Sequence, residues 1–80
     1  MTDSSFTVET MRADIAAILD QPTSLVEDGV NLLDLGLDSL RIMELADRWS
    51  QASGVFVDFA MLAEEPEVTA WWGLISDRTG

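Results

Sequence analysis

Eighty residues make one small domain with no room for a second core, and a domain of this size buries only about 60% of its unfolded surface. Fifteen acidic residues face four arginines and no lysine, a net charge of −11 that repels nucleic acid and anionic membrane and predicts partners with basic patches. The absence of Cys, His and Lys removes disulfides, thiolate metal sites, thiol nucleophiles and the usual general bases, which argues against an independent enzyme, while 48% apolar residues argue against a disordered acidic tail.

The chain opens on Met1-Thr2-Asp3-Ser4-Ser5, which lacks the basic and apolar regions of a signal peptide. No later apolar run approaches the ~20 residues of a membrane span. A mature cytoplasmic protein, monomeric and folded from about residue 6 to residue 77, is therefore expected. Thr7 is placed to cap a first helix running to about Asp20, with Val8, Met11, Ile15, Ile18 and Leu19 on one face. Phe6 and Met11 fall at the two positions of a hydrophobic staple. Gln21-Pro22 ends this helix, because proline biases its predecessor away from helical angles.

Pro22 to Leu37 is a sixteen-residue connection that carries seven branched apolar side chains. Structureless loops of that length are uncommon unless functional. This one is too apolar for water, so it is predicted to lie across the bundle and bury its leucines, with a short helical turn starting near Thr23 or Ser24. Asp28, Asn31, Asp34 and Asp38 lack the alternate-residue spacing of a calcium loop.

A second helix is predicted from Ser39 to about Gln51. Ile42, Leu45, Ala46 and Trp49 form its core stripe, and Leu40 and Met43 fall on another side as a partly exposed apolar patch beside Ser39. Ser50 to Val57 reads as an extended connection with Gly54 as the helix terminator. Asp58 is positioned to cap a short helix, Phe59 to Ala63, that buries Phe59 and Leu62. Pro66 suits the first turn of a last helix, with Val68, Trp71, Trp72 and Ile75 on its core face and Asp77 to Gly80 loose. The expected fold class is all-α: three main helices plus one short one, with a long first loop.

The stretch with chemical content is Asp34-Leu35-Gly36-Leu37-Asp38-Ser39-Leu40. Gly36 permits a sharp bend, and Asp38 is a good N-cap. Ser39 then lies exposed in the first helical turn, where free N–H groups and the helix dipole favour a nearby phosphate. A bare Asp-Ser pair also opens many ordinary helices, where both residues serve only as caps.

This stretch resembles the attachment motif of phosphopantetheine-dependent carrier proteins. The similarity extends over nearly the whole chain, through the long loop after the first helix, the serine opening the second and the short third helix. Asp58-Phe59-Ala60-Met61-Leu62-Ala63, Pro66, Ala70-Trp71-Trp72 and Arg41-Ile42-Met43-Glu44-Leu45-Ala46-Asp47-Arg48-Trp49 are similar to the aryl carrier proteins of siderophore assembly. Two departures are Leu37, where peptidyl carriers often have a second glycine, and Glu67, where the aryl family usually has Thr.

The resemblance implies a 4′-phosphopantetheine arm attached to Ser39 by a phosphopantetheinyl transferase, with Asp38 near that enzyme's Mg²⁺. It implies an aryl acid such as 2,3-dihydroxybenzoate or salicylate held as a thioester, loaded by an adenylation enzyme and passed to a condensation domain. Leu40, Arg41, Met43 and Met61 are the expected docking residues. Arg41 has three open readings: a partner's carboxylate, an ion pair with Glu44 or Asp38, or simple solubility. The runner-up is an acyl carrier of polyketide or fatty-acid synthesis. A plain acidic interaction module is the reading from another class.

Overall fold

The computed structural model describes residues 6–79. Four α-helices follow in order: α1, Val8–Leu19; α2, Ser39–Ser53; α3, Phe59–Glu64; and α4, Val68–Thr79. Two 3₁₀ turns, Thr23–Leu25 and Leu32–Leu35, break up the connection between α1 and α2, and no strand occurs among the described residues. The all-α carrier-like bundle expected from the sequence is the observed architecture.

Local chemistry explains where each helix starts and stops. Thr7 accepts the N–H of Thr10 at 3.2 Å and so caps α1. That helix closes on Asp20 in the left-handed conformation (φ 56°), and the Gln21 N–H returns to the Ala16 carbonyl at 2.9 Å. The chain has thus left the helix before Pro22. Helix α2 runs to Ser53, two residues past the expected end, because Gly54 (φ 81°) is the first residue suited to reverse it. The connection to α3 is correspondingly shorter.

Asp58 holds the N-cap position of α3, yet its side chain accepts no cap hydrogen bond. Its carbonyl takes the N–H of Met61 instead. Pro66 is not in the first turn of α4, which starts at Val68; its carbonyl accepts the Leu32 N–H at 2.7 Å and pins the long loop. Of the tail predicted as loose, Asp77 to Thr79 continue α4, and Gly80 lies outside the described residues. Nothing in Asp77-Arg78 breaks a helix, and Arg78 sits favourably in the last turn, where the dipole is negative.

One core unites these elements. Met11, Ile15 and Ala16 from α1 meet Ile42, Leu45, Ala46 and Trp49 from α2, Leu62 from α3, and Val68, Trp71 and Ile75 from α4. Val26, Leu32 and Leu37 enter from the long loop, as its apolar content requires. Leu25 and Leu33 do not: they are 45% and 50% exposed. Phe59 and Trp72 are half-buried at the margin rather than within the core.

Polar groups at the core edge are satisfied by long-range bonds. Trp49 Nε1 donates to Asp14 at 2.9 Å, tying α2 to α1, and Trp71 Nε1 donates to the Leu62 carbonyl at 2.7 Å, tying α4 to α3. The Phe6 ring lies 5.8 Å from Trp49 and 5.9 Å from Trp72, so the residue placed for a staple also closes an aromatic cluster. The Ser50 hydroxyl accepts the Val57 N–H at 2.8 Å and donates to the Ala46 carbonyl at 2.8 Å. This bond fixes the alternation in which Val57 is buried and Phe56 is 71% exposed. Replacing the fully buried Trp71 with Ala should cost about 3–5 kcal/mol in urea unfolding; a loss below about 1 kcal/mol would contradict this core.

Candidate functional site

The site is the junction between the long loop and α2, and the loop is fixed before it arrives there. Arg12 on α1 donates to the Val26 carbonyl at 2.8 Å and pairs with Asp28. Thr69 on α4 donates to the Asp28 carbonyl at 3.2 Å, and Pro66 receives the Leu32 N–H. Three separate elements therefore hold one loop.

Asn31 caps the second 3₁₀ turn by accepting the Leu33 N–H at 2.9 Å. Gly36 ends that turn with φ 108°, a conformation costly for any residue with a side chain. The Leu37 N–H then bonds to the Leu32 carbonyl at 3.2 Å, and the Leu37 side chain is buried. Asp38 follows in extended conformation as the N-cap of α2, accepting the Arg41 N–H at 3.0 Å.

Ser39 is the first residue of α2 and is exposed. The cap accepts the N–H of Arg41, and those of Ser39 and Leu40 have no protein acceptor among the described residues. Two free donors and the positive end of a four-turn helix beside an exposed hydroxyl fit a phosphate joined to that hydroxyl. No group of three or more potential metal ligands exists among the described residues. The residues present thus fit a covalent phosphate on Ser39, and a metal near it needs most of its ligands from elsewhere.

The anticipated attachment residues Asp38 and Ser39 and the anticipated docking residues Leu40 and Arg41 are consecutive at the helix start, and Leu40 is 73% and Met43 46% exposed, as their helical position predicts. Met61 is half-buried on α3 and is the least accessible of the set. Arg41 pairs with Asp38, its Nη1 lying 3.0 Å from Oδ2. Leu33, just before the serine motif, is exposed as well. A 3₁₀ turn eclipses positions three apart, so Leu32 and Leu35 share the inward side and Leu33 points away. Asn31 as a cap was the signal for that turn. Substituting Gly36 with Ala, which has open space for a Cβ but a forbidden φ, should destabilise the fold by about 1 kcal/mol. Asp38→Ala should cost about 1 kcal/mol through loss of the cap, whereas Asp38→Asn retains most of it in the same urea measurement.

Comparison with known proteins gives this geometry its context. The family described as "Phosphopantetheine attachment site" matches residues 9–75. The chain is 46% identical over 68 residues to phenyloxazoline synthase MbtB of Mycolicibacterium paratuberculosis, covering 85% of this chain and 6% of that protein. It is 43% identical over 72 residues to the synthase of the same name from Mycobacterium tuberculosis H37Rv, covering 90% of this chain and 5% of the other. It is also 46% identical over 66 residues to enterobactin synthase component B of Escherichia coli K12, covering 82% of this chain and 22% of that protein. The chain therefore spans less than a quarter of the length of these relatives. No solved structure matches it. The matched segment includes both the pinned loop and the serine at the start of α2, and the chain belongs to the phosphopantetheine-attachment family of carrier domains, whose members bear 4′-phosphopantetheine covalently on a serine.

Proposed function

We propose that Ser39 is the serine that bears the arm, and that the domain is an aryl carrier of siderophore-type nonribosomal peptide synthesis. The observation that carries this reading is the exposed Ser39 hydroxyl on the first turn of α2, with unclaimed N–H groups beside it and exposed Leu40 and Met43 next along the helix. The aryl assignment is supported by the relatives, two of which are named as synthases of a phenyl-bearing ring.

Attachment is a substitution at phosphorus. The Ser39 oxygen attacks the phosphorus of coenzyme A nearer the pantetheine. A phosphodiester forms and the bond to the bridging oxygen breaks, releasing adenosine bisphosphate. The serine proton passes to a base of the phosphopantetheinyl transferase, since this chain has no His, Lys or Cys. The free N–H groups of Ser39 and Leu40 favour the negative charge on the phosphate oxygens beside them. When bound, the arm supplies the thiol that this chain lacks, on which an aryl acid is held as a thioester.

The chain's own contribution is to present that arm. Ser39 is held at a helix end by a loop fixed to α1 and α4, so the base of the tether is rigid and its far end is free. Tethering raises the effective concentration of the cargo at each partner site. An aryl-acid adenylation enzyme loads the arm, and a condensation domain receives the aryl group. Leu40 and Met43, with Met61, form the docking patch, and Leu33 is a further exposed leucine just before the motif. The surrounding Asp34, Asp38, Glu44 and Asp47 match partners with basic rims. We place these reactions in the cytoplasm and the carrier in them as a monomer.

The arm-bearing protein should accept 2,3-dihydroxybenzoate or salicylate from an aryl-acid adenylation enzyme, measured by intact mass. Exclusive loading with malonyl or fatty acyl groups would overturn the aryl assignment. Met43→Asp should reduce loading or condensation by about tenfold or more while arm attachment stays within about twofold. An equal loss at every step would contradict the docking role.

A further inference from the structure

Three of the four arginines pair with an aspartate among the described residues: Arg12 with Asp28, Arg48 with Asp14, and Arg41 with Asp38. Two of these pairs have an evident structural use. Arg12 fixes the long loop, and Arg48 approaches the carboxylate that already receives the Trp49 indole. The third lies within the first turn of α2, with side chains 47% and 54% exposed. Exposed pairs at this spacing add little to stability. Its consequence lies in what it does to the carboxylate beside Ser39.

We infer that Arg41 is a positioning residue for arm attachment and acts through Asp38. One residue occupies both oxygens of that carboxylate: the Arg41 N–H lies 3.0 Å from Oδ1 and its Nη1 lies 3.0 Å from Oδ2. A cap alone would hold one oxygen and leave the second free to swing. With both held, the carboxylate has one orientation at the helix start, next to the hydroxyl that reacts. An ionised carboxylate has about four acceptor sites, so each oxygen keeps capacity for one further contact. The outside group that fits is a cation of the transferase, its bound divalent metal or a basic side chain. A carboxylate fixed in advance meets that cation without losing rotational freedom on docking.

This inference rests on Ser39 being the attachment serine, and it resolves Arg41 as an internal rather than a partner-facing contact. It also separates the residue from Leu40 and Met43, whose exposed apolar surface serves docking directly.

The test compares wild type, Arg41→Ala, Arg41→Lys, Asp38→Asn and the Arg41→Ala/Asp38→Asn double variant. In the free protein, three-bond NMR couplings about the Asp38 χ1 bond should report one rotamer in wild type and Arg41→Lys, and averaging in Arg41→Ala. In the transferase reaction, Arg41→Ala should lower kcat/KM by about three- to tenfold and Lys should restore it to within about twofold. The double variant should be no slower than Asp38→Asn alone, since the arginine has then lost the group it orients. A raised Mg²⁺ requirement in Arg41→Ala identifies the metal as the cation; an unchanged requirement with a raised KM for the carrier identifies a basic side chain. Multiplying effects in the double variant would overturn the inference and assign Arg41 a direct partner contact. Unaltered couplings and rate in Arg41→Ala would overturn it equally. Should wild type itself take no arm at Ser39, the carrier reading fails first; normal modification of wild type and Arg41→Ala alike removes the positioning role alone.

Discussion

The structure depends on a reversal within three residues: Leu37 must be buried and Ser39 must be exposed. Gly36 makes this possible by adopting a φ of 108°, and the Leu37 N–H bond to the Leu32 carbonyl fixes the step. Asp38 then starts the helix by taking the Arg41 N–H. Burying Leu37 anchors the loop from below, so the hydroxyl two residues later is not carried on a mobile segment. The apolar loop is long because it must cross the bundle, and it is ordered because Arg12, Pro66 and Thr69 each hold it.

Charge is arranged with the same economy. Among the described residues three arginines are committed to aspartates of the same chain, and fifteen acidic residues in all leave the protein strongly negative. In the stretch around the serine, Leu33, Leu40 and Met43 are exposed, and so are Asp34, Asp38, Glu44 and Asp47. A surface of this charge attracts basic groups over a distance of about a Debye length, roughly 8–10 Å at moderate salt. On the proposed carrier role, brief docking suits visits to several enzymes, because a large apolar interface would retain the domain at one.

Much of this was legible in the order of residues. The α2 core stripe of Ile42, Leu45, Ala46 and Trp49 follows from helical periodicity, and all four are buried. The same periodicity separates Leu40 and Met43 as exposed. Gly36, Asp38 and Ser39 announce a bend, a cap and an exposed hydroxyl through local chemistry alone. What was illegible depends on distant partners: Arg12 reaches a carbonyl 14 positions away, and Trp49 reaches Asp14 across 35. Leu33 was counted with the loop's buried leucines because no helical or strand period applies there; only the 3₁₀ turn capped by Asn31 turns it outward. Pro66 has the propensity of a first-turn residue, but tertiary bonding to Leu32 overrode it.

The most direct test of the central claim is the mass of the intact protein after incubation with coenzyme A, Mg²⁺ and a broad-specificity phosphopantetheinyl transferase, followed by peptide mapping. One added phosphopantetheine is expected, localised to Ser39 and absent from folded Ser39→Ala. Modification at another serine, or none on folded wild-type protein, would contradict it.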